Sequence, residues 1–172
     1  MVLDRGVAAA PVATERLTLP LWTAEDVALI RGGGRRPQWH RDFPRRDDVD
    51  AAGLWHDGDP WGPRSIVRGV TVLGSIGFFG PPQDADGVPE VEVGYGLVAE
   101  AHGWGFATEA LAGLLGRADE AGVRVRASVL PENRASVRVL AKCGFTQLRG
   151  STEDGELVMV RPLALDAEGS SR

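Results

Sequence analysis

The sequence predicts a mixed α/β fold, with a mostly antiparallel central sheet of about seven strands and about four helices. Two observations support this prediction: helical and strand-like periodicities alternate along the chain, and strand pairs joined by short turns lie toward both ends. The chain has 172 residues, of which 43% are hydrophobic and 25% charged, as in one ordinary globular domain. We expect this domain to span residues 14–163, between flexible termini at 1–13 and 164–172.

The first half of the chain predicts three strands and two short helices. Leu17, Leu19 and Leu21 alternate with less apolar residues, which is the period of a half-buried strand. Thr23 and Asp26 have the spacing of a helix-capping box. The predicted elements are a strand at 17–21, a helix at 23–30, a helix at 48–55 capped by Asp47 or Asp48, and a hairpin of strands 65–67 and 70–79.

The second half predicts four strands and two longer helices. Apolar residues recur at helical spacing from Ala107 to Ala121, and Asn133 stands where a helix cap is expected. Gly144 has the position of a glycine that ends this last helix. The predicted elements are strands at 88–98, 123–130, 145–149 and 156–163, and helices at 107–121 and 133–143.

A glycine-rich stretch stands directly in front of the predicted helix at 107–121. The first turn of a helix has unpaired N–H groups and partial positive charge, so a phosphate can bind there. Gly103 and Gly105 allow the backbone to approach such a ligand closely. A Walker loop is excluded because no lysine followed by Ser or Thr comes after Gly105, and a dinucleotide fingerprint is excluded because Thr108 stands at its third glycine position.

Residues 102–107 resemble the acyl-CoA pyrophosphate loop of the GNAT superfamily of N-acetyltransferases, whose pattern is Arg or Gln, two residues, Gly, one residue, Gly or Ala. Gly105 and Ala107 fit this pattern, whereas His102 and Trp104 replace residues that are commonly basic in the family. The resemblance covers residues 14–163 and is closest to the Rim-type branch, which is named for enzymes that acetylate ribosomal-protein N-termini. The matching stretches are Thr14-Glu15-Arg16-Leu17-Thr18-Leu19, Gly74-Ser75-Ile76-Gly77-Phe78, Glu92-Val93-Gly94-Tyr95, Ala107-Thr108-Glu109-Ala110 and Asn133-Arg134-Ala135-Ser136 through Gly144-Phe145.

The resemblance implies where acetyl-CoA would bind. In the GNAT fold the strand that ends near Val98 splays away from the strand at 123–130, and the pantetheine arm lies in the gap. Unpaired backbone groups on splayed strands can bind the amides of that arm. The implied cofactor-binding residues are Leu97, Val98, His102, Gly103, Trp104, Gly105, Phe106, Ala107, Thr108 and Asn133.

Acetyl transfer to an amine requires a base for the amine and a proton donor for the departing thiolate. Glu92 matches the strand glutamate of the family and is the candidate base, with Glu90 on the same strand face as the alternative. Ser136 is the candidate acid, because Leu140 occupies the position at which many members carry a tyrosine. Both assignments have plain structural alternatives: the glutamates could be solvated, and Ser136 could only bind cofactor or backbone.

Composition narrows the remaining choices. A net charge of −5 argues against binding to nucleic acid or to an anionic membrane. No apolar run is long enough for a membrane span, and the start lacks a signal-peptide pattern, so the sequence favours the cytoplasm. The single cysteine, Cys143, excludes an internal disulfide and has no neighbouring histidine to activate it, and the histidines lack metal-ligand spacing. A homodimer is compatible with the sequence.

Two functions are compatible with these features. The first is direct transfer of acetyl from acetyl-CoA, within a ternary complex, to a primary amine on a protein N-terminus or a small molecule. The second is a non-catalytic module that senses acyl-CoA, which the replaced tyrosine and His102 leave open. Trp39, Trp55, Trp61 and Phe43 in the N-terminal half fit an acceptor pocket or the core equally well.

Overall fold

The computed structural model describes residues 9–163, which form nine strands, four α-helices and one short 3-10 helix. Residues 1–8 and the predicted C-terminal segment 164–172 lie outside the described residues. The strands are β1 (Val12–Ala13), β2 (Thr18–Leu19), β3 (Arg64–Arg68), β4 (Thr71–Phe78), β5 (Gln83–Ala85), β6 (Val88–Leu97), β7 (Arg124–Val129), β8 (Gln147–Ser151) and β9 (Leu157–Arg161). The helices are α1 (Ala24–Gly32), α2 (Arg46–Ala52), α3 (Phe106–Ala121) and α4 (Arg134–Lys142), and the 3-10 helix is Ala99–Ala101.

The strands form one mixed sheet in the order β1-β2-β3-β4-β6-β7-β9-β8, with β5 paired to β6. All named pairs are antiparallel except β6 with β7. The predicted fold class is therefore confirmed, with two more strands than expected. The additional strands are β1 and β5, which are two and three residues long and too short to show an alternating pattern in the sequence.

The first strand lies inside the segment that was expected to be a flexible terminus. Val12 pairs with Leu19 and Ala13 with Thr18, and the Val12 side chain is buried. This short strand adds to the outer edge of the sheet because a buried side chain and two paired residues hold it there. The ordered region thus begins before Thr14.

The parallel pair of strands opens along its length. β6 and β7 are in register only at Glu90, Val91 and Glu92, which pair with Arg124, Val125 and Arg126. Beyond that point β6 continues against β4, and β7 continues against β9. The carboxyl ends of the two central strands therefore diverge, and they leave a slot in the middle of the sheet.

The helix ends follow local rules, with one correction. Thr23 and Asp26 form the predicted capping box of α1, and Gly33 ends that helix in the left-handed conformation. Asp47 and Asp48 are not the N-cap of α2, which starts at Arg46, two residues earlier than predicted, with Arg45 as its N-cap. The carboxylate of Asp48 reaches back to the Arg45 backbone N–H from within the first turn, so it serves the helix end from inside.

The core lies between the sheet and the helices that cover it, with α3 contributing a buried stripe that includes Leu111 and Leu114. Three of the N-terminal aromatic residues, Trp39, Phe43 and Trp61, are buried in this core. They pack against neighbouring aromatic rings, so these three side chains belong to the core and do not form the acceptor pocket considered for them. Within residues 9–163, none of the helices combines the length and apolarity needed to cross a bilayer.

Candidate active site

The glycine loop joins the end of β6 to the start of α3. Gly103 and Gly105 have φ angles of +82° and +81°, a backbone conformation that favours glycine. Gly105 is the N-cap of α3, and among residues 9–163 no side chain caps that helix end. Phe106, Ala107 and Thr108 form the first helical turn, so their N–H groups lie at an uncapped helix start. This is the geometry predicted for a phosphate site.

Two arginines lie beside this loop and were not identified from the sequence. The guanidinium groups of Arg16 and Arg68 lie 4.6 Å and 5.0 Å from the centre of the Phe106 ring. Arg16 also donates to the Trp104 carbonyl at 3.0 Å and pairs with Glu109 at 2.7 Å. These residues come from β3 and from the turn before β2, so the positive charge at the loop is supplied from distant parts of the chain.

The side chain of His102 is bonded to β6, and that of Trp104 is exposed to solvent. His102 Nε2 is 2.9 Å from the carbonyl oxygen of Leu97, so the ring is turned back onto β6. Trp104 is 63% exposed, and its side chain lies open to solvent. Both the ring and the backbone N–H of His102 are therefore occupied, the N–H by a bond to Ala99 O, whereas Trp104 keeps its side chain exposed beside the loop.

The backbone of Val98, which was predicted to bind the pantetheine arm, does not face the slot. Val98 donates its N–H to Leu73 O, and its own carbonyl accepts from Ala101 N–H, so both groups are occupied. Glu92 O likewise bonds to Phe79 N–H on the β4 side. Since backbone groups alternate sides along a strand, Val93, Tyr95 and Leu97 present their groups to the slot instead. Leu97 already uses its carbonyl for His102.

The slot between β6 and β7 is a cavity of about 500 Å³. Its walls come from both strands, from the first turns of α4 and from the β8–β9 turn. The polar residues that line it include Glu92, Tyr95, Ser128, Asn133 and Ser136. Glu92, Ser136 and Asn133, which were predicted as base, acid and cofactor-binding residue, therefore line one cavity.

Glu92 lies at the point where the two strands separate, since it is the last residue of β6 paired with β7. Its carboxylate Oε1 accepts hydrogen bonds from Arg126 Nε and Ser128 Oγ, both at 3.1 Å. The side chain is 22% exposed. Its surroundings in the slot are therefore polar.

Glu90 has a different environment from Glu92. Its side chain is 1% exposed and forms ion pairs with Arg124, Arg126 and Arg149 at 2.6–2.8 Å. Burial by itself would raise the pKa of this carboxyl, but the hydrogen bonds from the three arginines lower the pKa to about 2. Such a carboxylate is a weak proton acceptor at neutral pH, so the geometry does not support Glu90 as the alternative base.

Ser136 and Asn133 lie at the start of α4. Asn133 Oδ1 accepts from the Ser136 backbone N–H at 3.2 Å, which is the predicted helix cap. The Ser136 hydroxyl is 2.9 Å from the hydroxyl of Tyr95, a contact between α4 and β6 that the sequence did not indicate.

Burial raises the pKa of Cys143, which agrees with the inert role expected for this thiol.

A second cavity, of about 390 Å³, lies on the other side of β6. It shares four residues with the slot, so the two cavities adjoin. Its wall combines apolar side chains with Asp47 and Asp50 of α2. The shared residues are Phe79, Gly94, Tyr95 and Glu156.

The fold and this site define an α/β protein with a split sheet that opens beside an uncapped, glycine-led helix start. The family model described as the acetyltransferase (GNAT) domain matches residues 16–146, well over half of the chain. The chain therefore belongs to the GNAT acetyltransferase domain family. No curated protein matches it significantly.

Solved structures show the same fold. An acetyltransferase from Agrobacterium tumefaciens is 25% identical, with a TM-score of 0.62 over 89% of this chain and 94% of that chain. RimJ of Mycobacterium smegmatis, in complex with CoA-disulfide, is 21% identical, with a TM-score of 0.63 over 93% and 90% of the two chains. The self-immunity acetyltransferase MccE, in complex with acetyl-CoA and AMP, is 19% identical, with a TM-score of 0.60 over 92% and 100%.

Proposed function

We propose that this protein transfers an acetyl group from acetyl-CoA to a primary amine, by direct attack within a ternary complex. One observation above all supports the proposal. The slot and the second cavity adjoin across β6, and Glu92 lines the slot close to the residues that the cavities share. A donor in one cavity and an acceptor in the other could therefore meet without a covalent enzyme intermediate.

Acetyl-CoA, the acetyl donor, would bind along the glycine loop and the slot. The pyrophosphate of acetyl-CoA would bind the N–H groups from Gly103 to Thr108, with Arg16 and Arg68 supplying charge nearby. The pantetheine arm would follow the slot-facing backbone of β6 toward Asn133. RimJ and MccE, which share the fold, are described as complexes with CoA-disulfide and with acetyl-CoA.

In this proposal Glu92 is the general base and Ser136 is the proton donor to the thiolate sulfur. An amine attacks as the free base, although it is mostly protonated in neutral water, so its proton must be accepted near the carbonyl carbon. Glu92 is the carboxylate at the mouth of the strand split and is partly open to the slot. Ser136 presents a hydroxyl on the α4 side of the same cavity.

The acceptor amine would bind in the second cavity. Asp47, Asp50 and Glu156 line it, and within residues 9–163 no ion pair neutralises them, whereas Arg45 there is paired with Asp48. Negative charge in a partly apolar cavity favours a cationic amine, on either a small molecule or a protein N-terminus. The Rim-type branch and a cytoplasmic location remain parts of this proposal.

The decisive experiment measures CoA binding by calorimetry and thiol release from acetyl-CoA with a panel of primary amines. The panel contains spermidine, a free amino sugar and a short peptide with an unblocked amino terminus. We expect CoA to bind and at least one amine to accelerate thiol release. Tight CoA binding without thiol release would favour the acyl-CoA sensor instead, and absence of CoA binding would overturn both functions.

A further inference from the structure

The hydroxyl of Tyr95 contacts the hydroxyl of Ser136 inside the slot, and this contact suggests a role for Tyr95. The two oxygens are 2.9 Å apart, a normal distance for an O–H···O hydrogen bond, whereas the Ser136 carbonyl is 3.4 Å from the phenol oxygen. The short bond is therefore the one between hydroxyls. Tyr95 is the chain's only tyrosine.

The pair lies in the slot that is proposed to hold the pantetheine arm, whose end carries the thioester sulfur. Tyr95 and Ser136 both line the slot, as do Glu92 and Ser128. Tyr95 also lines the second cavity, so its side chain stands where donor and acceptor would meet. Leu140, one turn beyond Ser136 on α4, is buried and has no proton to give.

We propose that Tyr95 supplies the proton that neutralises the departing thiolate, passed through the hydroxyl of Ser136. The inference rests on the proposed acetyl transfer and adds a proton source for it. Ser136 is then the group that touches sulfur, and Tyr95 acts through Ser136. A serine alone is a weak acid, and a hydrogen-bonded phenol behind it stabilises the alkoxide that proton donation would leave.

The step balances in atoms and charge. The amine nitrogen forms a bond to the carbonyl carbon, and the carbon–sulfur bond breaks with its electron pair on sulfur. Sulfur takes the Ser136 proton, and Ser136 takes the phenol proton, which leaves Tyr95 as a phenolate. The proton that the amine gave up returns to the phenolate through solvent, so the net result is an amide and a thiol.

The environment keeps the phenol protonated before the step. Burial raises the pKa of Tyr95 above its ordinary value of 10.0, an effect that its hydrogen bond with Ser136 opposes only in part. The same burial raises the proton affinity of a thiolate formed in the slot. Donor and acceptor of the proton are therefore shifted in the same direction.

A double-mutant cycle tests the relay with acetyl-CoA and the most active amine among spermidine, the amino sugar and the peptide. Tyr95→Phe and Ser136→Ala should each lower kcat by about 10²-fold, with little change in the KM for acetyl-CoA. The double variant should be no slower than the slower single variant, because both changes break one path. Multiplied losses, or a loss confined to KM, would overturn the relay.

Ser65→Ala is the matched control, because it removes a buried hydroxyl that bonds Trp22 away from both cavities. It should leave kcat unchanged. A loss in this variant equal to that of Tyr95→Phe would show that the effect is structural.

A spectroscopic titration tests the relay without any acceptor. Since the chain has one tyrosine, tyrosinate absorbance reports Tyr95 alone. In this alkaline titration the thiol of bound CoA ionises before the phenol, so a thiolate lies beside the pair and should make the phenol at least about tenfold harder to ionise than desulfo-CoA does. This difference should shrink in Ser136→Ala, which removes the hydroxyl between phenol and sulfur. Equal titrations with the two ligands, both shown bound by calorimetry, would refute the relay and leave the proposed function standing.

Discussion

Glu90 and Glu92 lie two residues apart on the same face of β6, yet their surroundings give them different chemistry. Glu90 is buried among three arginines, whereas Glu92 shares Arg126 and a serine and opens to the slot. Arg126 bonds both carboxylates, so the buried Glu90 helps to fix the guanidinium that binds Glu92. Glu90 is therefore held within a buried ion-pair cluster, and Glu92 is the carboxylate that opens to the slot.

Glu92→Gln is expected to lower turnover at neutral pH by about 10²-fold, because the amide keeps the shape of the side chain but accepts no proton. CoA affinity should hardly change. Alkaline pH should restore part of the rate, since it supplies free amine without help from the enzyme. The measurement is a pH profile of thiol release, with Glu120→Gln on the exposed face of α3 as the control. A near-normal rate across pH would refute the assignment.

Glu90→Gln is expected to destabilise the fold rather than to slow the chemistry selectively. Removing the carboxylate leaves three arginines without their shared partner, and breaking a buried ion pair costs about 3–5 kcal/mol. Urea unfolding at neutral pH measures this loss. A variant as stable as the parent protein would show that the cluster contributes nothing.

The same carboxylate predicts the pH dependence of stability. The folded-state pKa of Glu90, about 2, lies below its ordinary value of 4.5, so its contribution is complete above about pH 4.5 and is lost as pH falls toward 2. The Glu90→Gln variant should lose less stability than the parent protein over this window. Parallel curves would assign the acid sensitivity to other groups.

At the scale of elements, the glycine loop and the start of α3 form one unit. Left-handed glycines aim the loop at the helix start, and Arg16 and Arg68 stack beside Phe106 from the sheet side. Hydrogen bonds from Thr14 and Arg16 outweigh the effect of burial and hold the pKa of Glu109 below its usual range, so Arg16 is anchored by a charged partner. The unit is therefore preformed before any ligand arrives.

Gly105→Val is expected to abolish CoA binding while the fold persists. A β-branched residue is strained at a φ of +81° and would stand between the loop backbone and a phosphate. Gly33→Val is the matched control, because Gly33 has a φ of +75° at the end of α1, with open space around it. Calorimetry with CoA measures the effect. Unchanged affinity in Gly105→Val, or equal losses in both variants, would remove the loop from the site.

At the scale of the whole molecule, β6 separates the two cavities and also connects them. The guanidinium of Arg45 lies close against Gly96, so the absence of a side chain at Gly96 leaves room for it beside the strand. Asp48 bonds both Arg45 and Ser75, which fixes α2 on the sheet. This packing brings the carboxylates of Asp47 and Asp50 to the wall of the second cavity.

Asp47→Asn and Asp50→Asn are expected to raise the KM for a polycationic acceptor several-fold, with little effect on kcat. Each change removes one negative charge from the cavity wall without touching the slot. The effect should weaken at high salt, since both side chains are exposed. Asp57→Asn, outside both cavities, is the control. Unchanged KM values for spermidine would place the acceptor elsewhere.

Local sequence patterns were enough to predict the fold class, most helix boundaries and the glycine loop. These features depend on local signals: the spacing of apolar residues, the Thr23–Asp26 capping box, Asn133 and the positions of glycines. Such signals act within a few residues, so they can be read along the chain. The very short strands β1 and β5 carry no period of their own, and the sequence therefore did not reveal them.

Which side chains meet depends on tertiary packing. The arginines around Glu90 come from β7 and β8, the hydroxyl beside Ser136 comes from β6, and Arg16 and Arg68 reach α3 from the first half of the chain. Tertiary packing also decided that Val98 turns its backbone to β4 and that His102 faces β6. These contacts join residues far apart in sequence, and the free energy of such contacts depends on packing and strand register, which no local pattern encodes.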